Sequence, residues 1–214
     1  MLTEDGAKTW TVSYSPPPTS ADYLHKIKFV DSLYGWVCGY REPYSCGLIL
    51  KTIDGGQSWS ASTPSVFWLG GHLYDVEFID RQIGFSGNTD LCKTTDGGLN
   101  WSNVLPNTDV IFDIFFLNSS IGWVSSGSGK IYKTEDTGNT WNLIGSGQDT
   151  AIYTLYFKDE FNGWGGLFMS TTDGGYAART QKCHSQWWIS GYWCGHRKDV
   201  RPPGRQRMPA LSQT

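Results

Sequence analysis

No stretch of this 214-residue chain is apolar for long enough to cross a bilayer, so no transmembrane segment is expected within it. No secretory leader is expected from the first residues either: Met1 runs at once into a polar turn, with no basic start and no apolar core. The expectation is a chain that begins inside a longer repeat array or comes from an incompletely predicted gene. No window carries the i, i+3, i+4 apolar stripe of an amphipathic helix, which excludes a helical bundle. Charge is sparse at 17% of residues, and arginine is rarer still, with only Arg41 and Arg81 in the first 177 residues. That scarcity argues against a sialidase-type site, where several guanidinium groups must converge on a substrate carboxylate. The same 177 residues hold ten Lys/Arg against 19 Asp/Glu, so no nucleic-acid partner is expected.

Cysteine is limited to five residues. Cys38 and Cys46 flank an expected hairpin loop and could be bridged if they face each other across neighbouring strands, which would fit an oxidising compartment. Cys92 reads as a buried strand residue. Cys183, His184, Cys194 and His196 are ligand types without the tight paired spacing of a zinc site, so no metal and no cofactor is expected.

What the chain has in excess is glycine and aromatics: Gly 26, Trp 11, Tyr 11 and Phe 10, a turn-rich sheet composition. One pattern, Thr-x-Asp-Gly-Gly-x-Ser/Thr-Trp in its fullest form, recurs five times, with the aspartates about 40 residues apart. The copies are Thr3, Asp5, Thr9, Trp10; Thr52, Asp54, Ser58, Trp59; Thr94, Asp96, Asn100, Trp101; Thr134, Asp136, Thr140, Trp141; and Thr171, Asp173. After the last copy, Ala177 and Ala178 stand where the hydroxyl and the tryptophan belong. Turn chemistry accounts for every residue type in the pattern: the aspartate accepts backbone N–H bonds, glycines supply positive φ, the hydroxyl closes the loop, and the tryptophan plugs the gap between sheets. These aspartates are therefore read as structural, with no catalytic residue among them.

A second element recurs in phase. It runs Phe29, Asp31, Gly35, Trp36; Phe78, Asp80, Gly84, Phe85; Phe116, Asn118, Gly122, Trp123; and Phe157, Asp159, Gly163, Trp164. Apolar alternation of period two leads into each phenylalanine, which is strand. Each unit then reads as strand, turn, strand, hairpin, strand, box turn, strand. The predicted fold is all-β: a β-propeller of four-stranded antiparallel blades, about four of them present. Units fall near residues 1–20, 21–64, 65–108, 109–149 and 150–177. The N-terminal strand around Lys8 to Ser13 and the three strands of the last unit are complementary pieces. They suggest either a small ring closed by pairing the two, or a fragment of a larger ring.

This pairing of motifs resembles the Asp-box, or bacterial neuraminidase repeat, superfamily, and within it the photosystem II stability/assembly factor family and its bacterial relatives. The likeness covers residues 3 to 175. It implies a larger ring, a periplasmic, lumenal or secreted location, and a non-enzymatic propeller that binds a protein client, with a membrane protein as one form of client. Family members in photosynthesis are expected to present an arginine-rich patch, which this chain lacks, so a general bacterial protein-binding or cell-surface role fits better. The alternative is a sialidase-like or other glycoside hydrolase, or a glycan-binding propeller, since the same box occurs on those folds.

Repeat arithmetic places the candidate contact residues. Three positions before each phenylalanine stand Lys26, Asp75, Asp113 and Thr154, predicted to form a polar ring where the first strand of each blade lines the channel. The apolar loop containing Phe67 and Trp68 is a second candidate contact patch. Residues 178–214 hold seven of the chain's 17 Lys/Arg and one acidic residue. This basic tail begins in mid-box and reads as disordered or out of frame rather than as a functional arm.

Overall fold

The computed structural model describes residues 1–3, 5–43, 45–61, 71–106, 108–146, 151–166 and 169–175. The loop with Phe67 and Trp68 and the basic tail lie outside them. The described residues form four antiparallel sheets and no helix. The first is β1 (Ala21–Phe29), β2 (Gly35–Glu42), β3 (Cys46–Thr52) and β4 (Ser60–Ala61). The second is β5 (Val76–Phe78), β6 (Gly84–Gly87), β7 (Leu91–Thr94) and β8 (Ser102–Leu105). The third is β9 (Ile111–Phe116), β10 (Gly122–Ser126), β11 (Lys130–Thr134) and β12 (Asn142–Ser146). The fourth holds three strands, β13 (Leu155–Phe157), β14 (Gly163–Gly165) and β15 (Met169–Thr171). Within each sheet the strands pair in chain order, and the first strands β1, β5, β9 and β13 lie against one another as the inner wall.

Both sequence motifs resolve into specific contacts. The phenylalanine and the glycine six residues later are paired across the first two strands of their sheet, as in Phe29 with Gly35 and Phe116 with Gly122. The ring lies flat on that glycine: a Cβ added at Gly84 would meet the Phe78 ring at 2.4 Å, and one at Gly122 the Phe116 ring at 2.8 Å. The intervening Asp/Asn closes the turn between the strands. Asp31 Oδ1 accepts the N–H of Leu33 and Tyr34 at 2.8 and 2.9 Å, and Asn118 Oδ1 does the same for Ser120 and Ile121.

The Thr-x-Asp turns are equally uniform. Asp54 takes the Thr52 hydroxyl at 2.7 Å, the Ser58 N–H at 2.9 Å and the Ser58 hydroxyl at 2.5 Å, while Gly56 N–H donates to Thr52 Oγ1. Thr3/Asp5, Thr94/Asp96 and Thr134/Asp136 repeat this network. Thr171 and Asp173 keep its first part. Hydrogen bonds from these partners hold the Asp54 and Asp136 carboxyls down at about 2. Gly55 and Gly56 adopt φ of 74° and 87°; in the fourth copy Thr137 occupies the first of these positions at φ 62°.

The gap between sheets is filled mainly by a ring the box does not contain. Trp36, Phe85 and Trp123 stack on the phenylalanine of the following sheet, at 3.6 Å on Phe78, 4.8 Å on Phe116 and 3.7 Å on Phe157. All three are fully buried. Directly opposite each on the neighbouring strand is a lysine, Lys51, Lys93 or Lys133, whose ammonium lies 5.4–5.6 Å from the ring centroid. Lysine and indole N–H reach the carbonyls of the next box: Lys51 and Trp36 both donate to Gly97 O, Lys93 to Thr137 O, and Trp123 to Gly174 O. The box tryptophans meet their own sheet's phenylalanine edge-on, Trp59 on Phe29, Trp101 on Phe78 and Trp141 on Phe116, and Trp141 also meets Phe85 of the preceding sheet edge-on at 6.1 Å.

Three expectations need correction. Trp10 is 55% exposed rather than wedged between sheets, because its hairpin brings no phenylalanine of its own for the indole to rest on. Among the described residues, the N-terminal strand pairs with itself through Leu2 and Thr11 and not with β15, so the pairing that would close a small ring is not made. Cys38 and Cys46 are free thiols, because the β2–β3 register sets Cys38 opposite Ile49 and Cys46 opposite Arg41.

Candidate functional site

Successive residues of the inner strands build a column in three tiers. The middle tier is the polar ring anticipated from repeat alignment. Lys26 Nζ sits 3.6 Å from Asp75 Oδ1 and 3.5 Å from Asp113 Oδ1, so one ammonium serves two carboxylates. Both aspartates also tie one sheet to the next. Asp75 Oδ2 accepts the Ile114 N–H at 2.7 Å, and Asp113 Oδ2 accepts the Leu155 N–H at 2.5 Å. Asp75 is 1% exposed and Asp113 6%, so their reachable surface is small. Thr154 takes the aligned position in the fourth sheet, exposed, with its carbonyl accepting the Gly166 N–H at 3.0 Å.

Burial pushes the Asp75 carboxyl up, with Lys26 opposing and Asp113 adding to the rise. For Lys26, burial works against its charge, but the two aspartates outweigh that and raise it. The inner tier, two residues further along each strand, holds Lys28 against Glu77 at 2.5 Å and then Phe115 against Tyr156 with ring centroids 5.8 Å apart. Burial raises the Glu77 carboxyl, and Lys28 opposes it.

The outer tier is aromatic. One residue before each member of the ring stand His25, Tyr74, Phe112 and Tyr153, and their rings run in sequence across all four sheets at 5.1, 5.0 and 4.6 Å. The first two strands and the segment before β5 extend the row: His72 stacks on Tyr40 of β2 at 3.6 Å and Tyr40 on Tyr23 of β1 at 4.8 Å. His25 Nδ1 lies 2.9 Å from the Leu73 carbonyl, which can only accept, so that nitrogen donates. The two ends are exposed, Tyr23 at 49% and Tyr153 at 67%. Alignment of the repeats contained four of these rings, in the column beside the polar ring. Read for strand periodicity alone, they look like core. Tyr23, Tyr40 and His72 carry no repeat signal and are joined to the row only by the fold.

Two arginines show how this molecule holds a guanidinium. Arg41 is gripped by Asp22 at 2.7 and 2.8 Å and by the Tyr14 hydroxyl at 3.1 Å. Arg81 donates to Asp31 at 2.7 Å and lies 4.2 Å from the centroid of the Tyr34 ring. Among the described residues no group of His, Cys, Asp and Glu has the arrangement of a metal site. None of the described elements is a helix long and apolar enough to cross a membrane.

No family model matches the chain. It is 26% identical over 122 residues to the photosystem II assembly lipoprotein Ycf48 of Synechococcus sp. (strain CC9902), covering 54% of this chain and 34% of that protein. Among solved structures, YCF48 bound to a D1 peptide superimposes with a TM-score of 0.56 at 22% identity, covering 68% of this chain and 47% of that one. A GH74 enzyme of Niastella koreensis superimposes with a TM-score of 0.52 at 20% identity, over 66% of this chain and 25% of that one. The architecture is therefore that of a β-propeller, and the chain spans about a third of the curated relative's length.

Proposed function

We propose that this chain is a non-enzymatic segment of an Asp-box propeller that holds a protein client, in the manner of an assembly factor. The observation that carries this reading is the sequence similarity to an assembly lipoprotein, joined to a fold match with a homologous propeller whose structure contains a bound peptide. A membrane protein is the client class that similarity favours, and a periplasmic, lumenal or secreted location goes with the relative's description as a lipoprotein. The contact surface we assign is the inner-strand column, with Lys26, Asp75, Asp113 and Thr154 beneath the aromatic tier; the loop of Phe67 and Trp68 is a second candidate.

Catalysis by the ring carboxylates is disfavoured by their surroundings. A glycosidase needs two carboxyl groups opening on a cleft that admits a sugar, whereas Asp75 and Asp113 are buried, share Lys26 and accept backbone N–H groups. The test is affinity capture with the tagged chain on detergent-solubilised membranes of the source organism, alongside an assay for hydrolysis of a glucan and a sialoside. Specific recovery of an integral membrane protein without turnover supports the proposal. Turnover of either glycan, lost in Asp113→Asn, would replace it with the hydrolase reading.

A further inference from the structure

The aromatic tier has a chemistry more specific than apolar stickiness. Its central rings cover one another's faces: Tyr40 and His72 are within 3° of parallel, Tyr23 and Tyr40 within 8°, and His25 and Tyr74 within 10°. A sugar would need those faces free in order to stack. What the row offers to a partner is its tyrosine side chains, with Tyr23 and Tyr153 exposed at its ends. A carboxylate lies alongside. Asp109, only part-buried, and Phe112 both border Gly127, lying 3.2 and 3.3 Å from where its Cβ would stand. The nearest cation, Lys26, is already shared by two carboxylates.

Phenol oxygens, exposed rings and a carboxylate in one row match a guanidinium, a planar cation with five donors that both forks onto carboxylate and lies on aromatic faces. The molecule uses this combination twice internally, an aspartate and a tyrosine around Arg41 and again around Arg81. We propose that the aromatic row from Tyr23 to Tyr153 is the docking edge for an extended, arginine-bearing peptide segment of the client. This rests on the client-binding reading and gives the client segment a positive charge.

The experiment measures fluorescence anisotropy of labelled nona-arginine, nona-glutamate and a neutral Gly/Ser nonapeptide with the full chain. The variants are Tyr23→Ala/Tyr153→Ala, truncating two exposed side chains, and Glu160→Gln at the opposite edge, which removes one negative charge away from the row. Circular dichroism checks that each variant keeps its sheet. Nona-arginine is expected to bind in preference to the other two, to weaken at least fivefold in the double tyrosine variant, and to change less than twofold in Glu160→Gln. Tighter binding of nona-glutamate overturns the inference, as does nona-arginine binding that the tyrosine variant leaves untouched, which would mark diffuse attraction to an acidic body. Affinity capture separates the two claims. A client retained equally by wild type and the tyrosine variant sinks the docking edge and leaves the client-binding reading standing. Nona-arginine binding that depends on Tyr23 and Tyr153, with no client captured, does the reverse.

Discussion

Replacing Trp123 tests the principle that joins the sheets. Its indole is fully buried, lies 3.7 Å from the Phe157 ring at 6° to it, donates to Gly174 O at 3.3 Å, and has the Lys133 ammonium 5.6 Å from the ring centroid. Trp123→Ala removes this whole contact from the third junction, and large aromatic-to-alanine changes in cores cost about 3–5 kcal/mol. Trp123→Phe keeps a stacked ring and loses the N–H bond, worth about 1 kcal/mol with some packing besides. The second sheet already uses phenylalanine there, Phe85 on Phe116. Trp164 occupies the same motif position but is 49% exposed, so Trp164→Ala should cost about 1 kcal/mol or less. Thermal melts followed by circular dichroism should rank Trp123→Ala far below wild type, Trp123→Phe between them, and Trp164→Ala close to wild type. Because repeat arrays unfold in parts, hydrogen exchange is the sharper readout: Trp123→Ala should loosen β9, β10 and β13–β15 and spare the first sheet. Equal losses for Trp123→Ala and Trp164→Ala would refute the reasoning, since position in the motif, not burial at a junction, would then set the energy.

Other changes follow from the same contacts. Gly122→Ala should cost about 1–3 kcal/mol by chemical denaturation, because its Cβ would sit 2.8 Å from the Phe116 ring, a side chain held between neighbours. Thr137→Gly should stabilise by about 1 kcal/mol, since Thr137 sits at φ 62° and both its bonds, from Lys93 and to Ser120, use backbone atoms that glycine retains; an unchanged melting temperature would argue against strain there. In acid, the Asp54 and Asp136 carboxyls are held at about 2, below their unfolded value, so the stability they lend is present above about pH 4 and is lost as pH falls toward 2. Asp75 has the opposite sign: its raised carboxyl keeps a proton that the unfolded chain has released, so stability declines as pH rises from about 4 until the native group ionises. A stability–pH profile should show that decline flattened in Asp75→Asn.

Much of this protein was legible in its sequence because its information is local. A Thr-x-Asp turn is closed by atoms two to four residues apart, so Asp54 and Ser58 or Asp136 and Thr140 could be assigned their bonds from spacing alone. The phenylalanine-to-glycine spacing of six likewise encodes one strand pair and its turn. In-phase repetition then implied stacked sheets, and alignment of the units brought Lys26, Asp75 and Asp113 together before any coordinates did. The remainder depended on contacts between residues tens of positions apart, where the chain carries no periodic cue. That Trp36, Phe85 and Trp123 stack face to face on the next sheet's phenylalanine, while the box tryptophans add only edges, is a matter of which face each strand turns to the next. That Cys38 and Cys46 stay apart is a matter of hairpin register. The row running through Tyr23, Tyr40, His72 and His25 to Tyr153 exists only because packing sheets around an inner wall brings residues of separate strands and loops to one edge. Local hydrogen bonding dictates turns and strands from sequence, whereas the surface these elements display is settled by how their side chains fill the space between them.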